Sequence, residues 1–219
     1  MKNDLQKFTI NPIVKTAIDP ELKLAEDVFE LCRRVRFIPE TIVQIGAANA
    51  GDFEFMPFIE RGSKAILLEP HPEFYKILKE KWGGINNISI FECGIYNKVG
   101  KFKFYEKWDA TCLEECSKNA NYLPDDQVFD ENEVFFANCC LFSGFDNGEI
   151  DLLLVDTNGA EWYVLEELKS RPKIICLETH YIYRNYKTLF IEKIYAWMTL
   201  NNYIIYAKNE SDTVFMRIK

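Results

Sequence analysis

Positive charge and histidine are both scarce in this chain. Its 219 residues carry 26 Lys plus Arg against 34 Asp plus Glu, a formal net charge of −8, and only two histidines. Such an acidic balance repels a phosphate backbone unless a basic patch compensates locally. The nearest candidate, Arg33, Arg34 and Arg36, is brief and reads as the solvated end of an amphipathic helix. Nucleic acid is therefore not expected as a partner.

Long apolar runs are missing as well. Nothing approaches the roughly 18 residues a membrane span needs, and the start MKNDLQKFTI lacks the apolar stretch of a secretion signal. No membrane span and a cytosolic location are the expectation. The seven cysteines, Cys32, Cys93, Cys112, Cys116, Cys139, Cys140 and Cys176, are odd in number and include no C-x-x-C pair, so reduced thiols are expected. Cys93, Cys139 and Cys176 lie in apolar runs, where a thiol behaves as a small hydrophobe. Cys112 and Cys116 are spaced to share a helix face. Neither G-x-G-x-x-G nor G-K-[ST] occurs at the first strand-to-helix turn: Ala48 stands at the middle glycine position and Asp52 follows Gly51. That argues against a nicotinamide oxidoreductase and a P-loop.

What is present is a packed globular composition, 48% hydrophobic and 27% charged. The length suits one α/β domain with an appendage. Residues 20–37 place Leu24, Val28, Leu31, Cys32 and Val35 at helical spacing behind Asp19 and Pro20, which predicts a leading helix within an N-terminal extension over 1–38. Residues 39–219 then read as the main domain. Strands are predicted at 41–45, 64–68, 88–93, 101–105, 150–155 and 173–177, with helices at 52–61, 72–82, 160–169 and 189–200. An apolar run covers 134–141, and 203–207 with 214–218 closes the chain as a hairpin. Alternating strands and helices ending in a hairpin predict a Rossmann-like α/β fold: a mostly parallel seven-stranded sheet, a C-terminal antiparallel hairpin, and helices on both faces, an ending that resembles the methyltransferase fold. The polar stretch from Lys107 to Glu133 is long for a compact domain, and is expected to be partly helical or to form a lid or acceptor-binding wall.

Ligands of such sheets bind outside the carboxyl ends of the strands, at the switch point of strand order. There the sequence reads TIVQIGAANAGDFEF, with Gly46 and Gly51 flanking a small-residue turn that lets a ligand approach the backbone. The next strand ends in Glu69, about 20 residues on, where a carboxylate can accept both hydroxyls of a ribose. Glu92, Cys93 and Gly94 close the third strand, where an adenine would rest. Acid–base candidates at later strand ends are Asp156, Asn158, Glu161, Glu178 and His180. Asp156 and Glu161 could instead supply oxygens to a divalent cation, or Asp156 could cap the following helix. His71 reads as a solvated first-turn residue, and Trp162 and Tyr163 as packing.

GAANAGDF, LLEPHPE, FECGIYNKVGKFKFYE, IDLLLVDTNGAEWYVLEEL and CLETH together resemble the FkbM family of methyltransferases over roughly Thr41 to His180. The resemblance implies S-adenosylmethionine as cofactor and methyl transfer to a hydroxyl of a saccharide or similar small metabolite. It implies a cofactor site over Gln44, Gly46, Ala47, Asn49, Gly51, Glu69, Pro70, Glu92, Cys93, Gly94 and Asp156, and catalytic roles for His180, Asp156 and Glu178. Two positions depart from the family pattern: Gln44 where an aspartate is common, and Asn158 where a glutamate is common. They motivate an alternative, a noncatalytic cofactor-binding protein of the same fold.

Overall fold

The computed structural model describes residues 24–48, 55–107, 110–117, 132–179, 190–208 and 212–218. In chain order the elements begin with α1 (Leu24–Arg34), β1 (Thr41–Ile45), α2 (Met56–Ile59), β2 (Lys64–Leu68), α3 (Pro72–Trp82) and β3 (Ile88–Phe91). They continue with β4 (Gly94–Ile95), β5 (Gly100–Lys107), β6 (Ala110–Leu113), α4 (Glu114–Ser117) and β7 (Val134–Cys140). The last are β8 (Leu152–Val155), α5 (Glu161–Leu165), β9 (Ile174–Glu178), α6 (Ile191–Leu200), β10 (Tyr203–Lys208) and β11 (Asp212–Arg217).

Seven strands form one sheet in the order β3-β2-β1-β8-β9-β11-β10. All neighbours are parallel except β11, which runs antiparallel to both β9 and β10. This is the expected Rossmann-like, mostly parallel seven-stranded sheet with its antiparallel terminal hairpin. Strand order reverses between β1 and β8, so the switch point lies at Ile45 and Val155, which are register partners.

Alternation along the strands divides the core in two. Ile42, Leu67, Leu152, Ile174 and Val214 face α1, α2 and α3, meeting Val28, Leu31, Phe58 and Leu78. Val43, Ile45, Leu153, Val155 and Phe215 face α4, α5 and α6, meeting Cys116, Val164, Leu165 and Met198. Burial on both sides is why β8 and β9 read as unbroken apolar runs. Each such Val, Ile or Leu contributes about 1.5–3 kcal/mol when fully buried.

A second sheet, β4-β7-β5-β6, packs into the Val43 side of the core through Ile95, Phe104, Leu113, Ala137 and Cys139. It corrects several expectations. The predicted third strand, 88–93, ends at Phe91, and after Glu92 and Cys93 the chain restarts as β4 beside β7. The alternating 101–105 segment is a strand, but it lies between β6 and β7 and is antiparallel to both. Within the polar stretch, residues 110–117 form β6 and α4, while 118–131 lie outside the described residues. Cys112 is therefore in a strand and Cys116 in a helix, so they share no helix face. The helix expected over 160–169 is confined to α5, and of the one expected over 52–61 the described part is α2. Asp19 and Pro20, the predicted start of the leading helix, precede the described residues.

Among the described residues, all seven cysteines are free thiols, and Arg33, Arg34 and Arg36 are exposed as expected of a helix end. No helix among them is long and apolar enough to cross a membrane.

Candidate active site

Gly46 follows β1 with φ +73°, and a Cβ there would sit 1.7 Å from the Asp156 carbonyl oxygen. Only glycine lets the ends of β1 and β8 approach so closely. The Gly46 and Ala47 N–H groups both donate to the Leu68 carbonyl, at 3.0 and 3.2 Å, and Ala48 takes φ +46°. The chain is thereby folded over the end of β2, where Glu69 stands. Gln44, half-buried, is one residue inside β1. Asn49 and Gly51 lie outside the described residues.

Glu69 is 3% exposed, and each carboxylate oxygen accepts one backbone hydrogen bond: Oε2 from Ala48 N at 2.7 Å and Oε1 from His71 N at 2.8 Å. Burial pushes its pKa up, and the two N–H donors partly oppose that push. Each oxygen keeps acceptor capacity beyond the one bond it has. This acceptor set suits the two hydroxyls of a ribose diol.

His71 is not the solvated residue its place before Pro72 implies; it is 5% exposed. Nδ1 accepts from Glu73 N at 3.3 Å, capping α3, and Nε2 lies 3.1 Å from Glu106 Oε2 on β5. The rings of Phe74 and Phe135 flank the imidazole, each with its centroid 4.6 Å away. An acceptor Nδ1 fixes the proton on Nε2, which donates to Glu106. His71 and Glu106 thus tie the second sheet to the Glu69 corner; the local sequence places His71 in solvent and gives no signal for Glu106.

At the end of β3, Glu92 is exposed while Cys93 and Gly94 are buried. Burial, reinforced by Cys140 and Cys139, pushes the Cys93 thiol up to about 12, leaving an unreactive, neutral sulfur. Gly94 packs against the second sheet: a Cβ would lie 2.9 Å from Phe104 Cζ and 3.2 Å from Cys139 Sγ. Pro70 Cβ is on the same side, 3.5 Å from that position.

Beyond the switch point, three carboxyl groups gather from β8, α5 and β9. Asp156 and Glu178 are joined by a side-chain hydrogen bond, and Glu178 Oε2 also accepts from Asn158 N at 3.1 Å. Two carboxyl groups can share a hydrogen bond only if one is protonated. Burial first, then the Glu161 charge, pushes Glu178 up to about 8; Asp212 adds to this, and the two hydrogen bonds oppose it. Glu161 is 0% exposed. Its Oε1 accepts from Thr157 Oγ1 at 2.9 Å, Gly159 N at 3.1 Å and Thr157 N at 3.3 Å, while its Oε2 is buried with no hydrogen-bond partner among the described residues.

Two consecutive left-handed residues, Asn158 (φ +50°) and Gly159 (φ +115°), make the turn that these carboxyls hold. Asparagine accepts this conformation more readily than most residues with a side chain. The Asn158 amide also donates from Nδ2 to the Thr111 carbonyl of β6 at 3.3 Å, a bond a carboxylate cannot make. Helix α5 has Ala160 as its N-cap with no side-chain cap, so Asp156 does not cap it. Tyr163 is buried, and Trp162 packs half-buried against the same cluster, as expected of packing residues. His180 lies outside the described residues. Among the described residues no group of three or more His, Cys, Asp or Glu is placed to hold a metal ion.

A groove of about 550 Å³ lies at the opposite end of the sheet, lined by Thr41, Lys64, Ser89, Asp146 and Lys169. It sits at the amino ends of β1 and β2, away from the switch point where such sheets bind ligands.

The methyltransferase FkbM domain matches residues 44–205, the stretch that contains the Gly46 turn, Glu69, the Asp156 turn and Glu178. The chain belongs to the FkbM methyltransferase family. No curated protein matches it at a significant level. Among solved structures, this FkbM methyltransferase is similar to a candidate RNA methyltransferase from Pyrococcus horikoshii, with 9% identity over 89% of this chain and 83% of that one, TM-score 0.46. It is also similar to precorrin-6y C5,15-methyltransferase from Geobacter metallireducens, with 12% identity over 88% and 87%, TM-score 0.43. A SAM-dependent methyltransferase from Aquifex aeolicus aligns at 12% identity over 85% and 87%, TM-score 0.40.

Proposed function

We propose that the protein is an S-adenosylmethionine-dependent O-methyltransferase acting on a hydroxyl of a saccharide or other small metabolite. The observation that carries this reading is the Asp156–Glu178 carboxyl pair at the ends of β8 and β9, beside the Gly46 turn. When bound, the cofactor supplies an electrophilic methyl group on a good leaving group.

In this reading Glu69 binds the ribose hydroxyls, and the Gly46–Ala48 turn, with Gln44, Asn49 and Gly51, cradles the methionine portion. Pro70, Glu92, Cys93 and Gly94 border the adenine. Asp156 stands between the two halves of the site. In-line attack asks mainly for alignment, and a hydroxyl acceptor also needs a place for its proton. Ionised Glu178 takes that proton, Asp156 shares it through their hydrogen bond, and His180, two residues further on, orients the hydroxyl. A carboxyl held near pH 8 is matched to this task, because an ordinary carboxylate is too weak a base. The acidic balance of the chain supports a neutral acceptor over a nucleic acid.

A noncatalytic cofactor-binding role is the second reading, favoured by the structural use of the Asn158 amide on β6. Incubation with methyl-labelled S-adenosylmethionine and a panel of saccharide and polyol acceptors separates the two. Label in an alkali-stable methyl ether supports transfer to a hydroxyl, whereas tight binding without transfer to any acceptor supports the second reading.

A further inference from the structure

We propose that Glu161 is the positioning residue of this site: it fixes the turn that clamps Glu178, and its enclosed carboxylate conditions Glu178 as the proton acceptor. The inference rests on the proposed proton-accepting role of Glu178 and extends it to a residue that touches neither cofactor nor acceptor in that reading.

The geometry is asymmetric. Oε1 of Glu161 draws in three donors from Thr157 and Gly159, which fixes the backbone on both sides of Asn158. The intervening Asn158 N–H is thereby directed at Glu178 Oε2. Hydrogen bonds of this kind favour the ionised carboxylate. Oε2 has no partner among the described residues although the residue is fully buried. An orphaned buried carboxylate oxygen is costly, and nothing in the packing of α5 requires an acid at this position. A glutamine of the same shape would hold the turn equally well. Burial pushes the pKa of Glu161 itself up and the hydrogen bonds to it oppose that push; once ionised, what the acid adds is a negative charge enclosed beside Glu178, where like charges interact strongly.

The groups facing Glu178 are Asp156 from β8, Glu161 from α5, Asp212 from β11 and the Cys112 thiol from β6. Those facing Glu161 are Glu178, Asp156 and the Cys116 thiol of α4. Burial and Asp212 act on Glu178 whatever occupies position 161. The contribution of Glu161 is separable by substitution.

The test is a side-chain carboxyl ¹³C NMR titration of the full chain and of Glu161→Gln, with the Glu178 signal assigned by its loss in Glu178→Gln. The Glu178 midpoint is expected to fall by about one pH unit in Glu161→Gln, as removal of a close like charge predicts. An unchanged or raised midpoint overturns the proposal. If Glu161→Gln does not fold, Thr157→Val serves instead. It removes one hydrogen bond to Oε1, weakens the ionised form of Glu161, and should move the Glu178 midpoint in the same direction by a smaller amount; no movement overturns the proposal there too. In turnover, the acidic limb of the pH–rate profile should move down with that midpoint while the cofactor Kd stays within twofold. A merely structural Glu161 would lower the rate at every pH and leave the limb in place. The titration needs no cofactor, so an unmoved midpoint in a protein that transfers methyl groups refutes this inference alone. Failure of wild-type transfer refutes the functional reading instead.

Discussion

The Ala48 N–H donates to Glu69 Oε2 at 2.7 Å, tying the turn after β1 to the end of β2. The strand ends on one side of the switch point are therefore set by a carboxylate that is itself part of the proposed cofactor site. Glu69→Ala should weaken S-adenosylmethionine binding by about 2–4 kcal/mol, the loss of two charge-assisted hydrogen bonds. Calorimetric titration of a folded variant checks this, and unchanged affinity would remove Glu69 from the ribose role.

Gly46→Ala should be far more damaging than its size implies. The new Cβ meets the Asp156 carbonyl at 1.7 Å, and φ +73° disfavours any side chain. A loss of about 4 kcal/mol or more, or failure to fold, is expected. Gly144→Ala is the control, since its Cβ meets nothing within 4 Å; it should change stability by less than about 0.5 kcal/mol in urea unfolding.

Removing the imidazole of His71 should loosen the join between the two sheets. His71→Ala forfeits the Glu106 contact, the α3 cap and packing against Phe74 and Phe135, an expected cost of about 2–4 kcal/mol. Glu106→Ala should cost less than about 1 kcal/mol, because the Glu106 side chain is 46% exposed. Chemical denaturation of both variants tests the order.

Stability should fall as pH rises through the Glu178 titration. The folded-state value, about 8, lies above the ordinary 4.5, so the unfolded chain releases this proton first. The contribution is complete below pH 4.5, is lost between 4.5 and about 8, and declines by at most about 1.4 kcal/mol per pH unit. Glu178→Gln should flatten thermal stability across that window.

Much of this arrangement was legible in the sequence, because the signals are local. A glycine at a strand end, an acid after the next strand, and apolar runs between amphipathic segments fix β1, β2, β8 and β9 and the place of Gly46 and Glu69. The second sheet was not, since β4 has two residues and β6 four, and both depend on pairing with the distant β7 and β5. His71 was misread for the same reason: its burial comes from Phe135 and Glu106, which no local pattern connects to it. The turn held by Glu161 stands between. Asp156, Asn158 and Glu161 read as acid–base candidates, but the inward fold of Glu161 onto Thr157 and Gly159 requires the left-handed backbone at Asn158.

The most direct test of the central claim compares methyl transfer by the wild-type chain and by Glu178→Gln, with saturating methyl-labelled S-adenosylmethionine and an acceptor from the hydroxylated panel. The account predicts label in an alkali-stable ether at a rate that rises with pH towards 8 in the wild type. It predicts a loss of about 10²- to 10⁴-fold in Glu178→Gln with cofactor affinity unchanged. Transfer by Glu178→Gln at the wild-type rate, with the same pH profile, would contradict it.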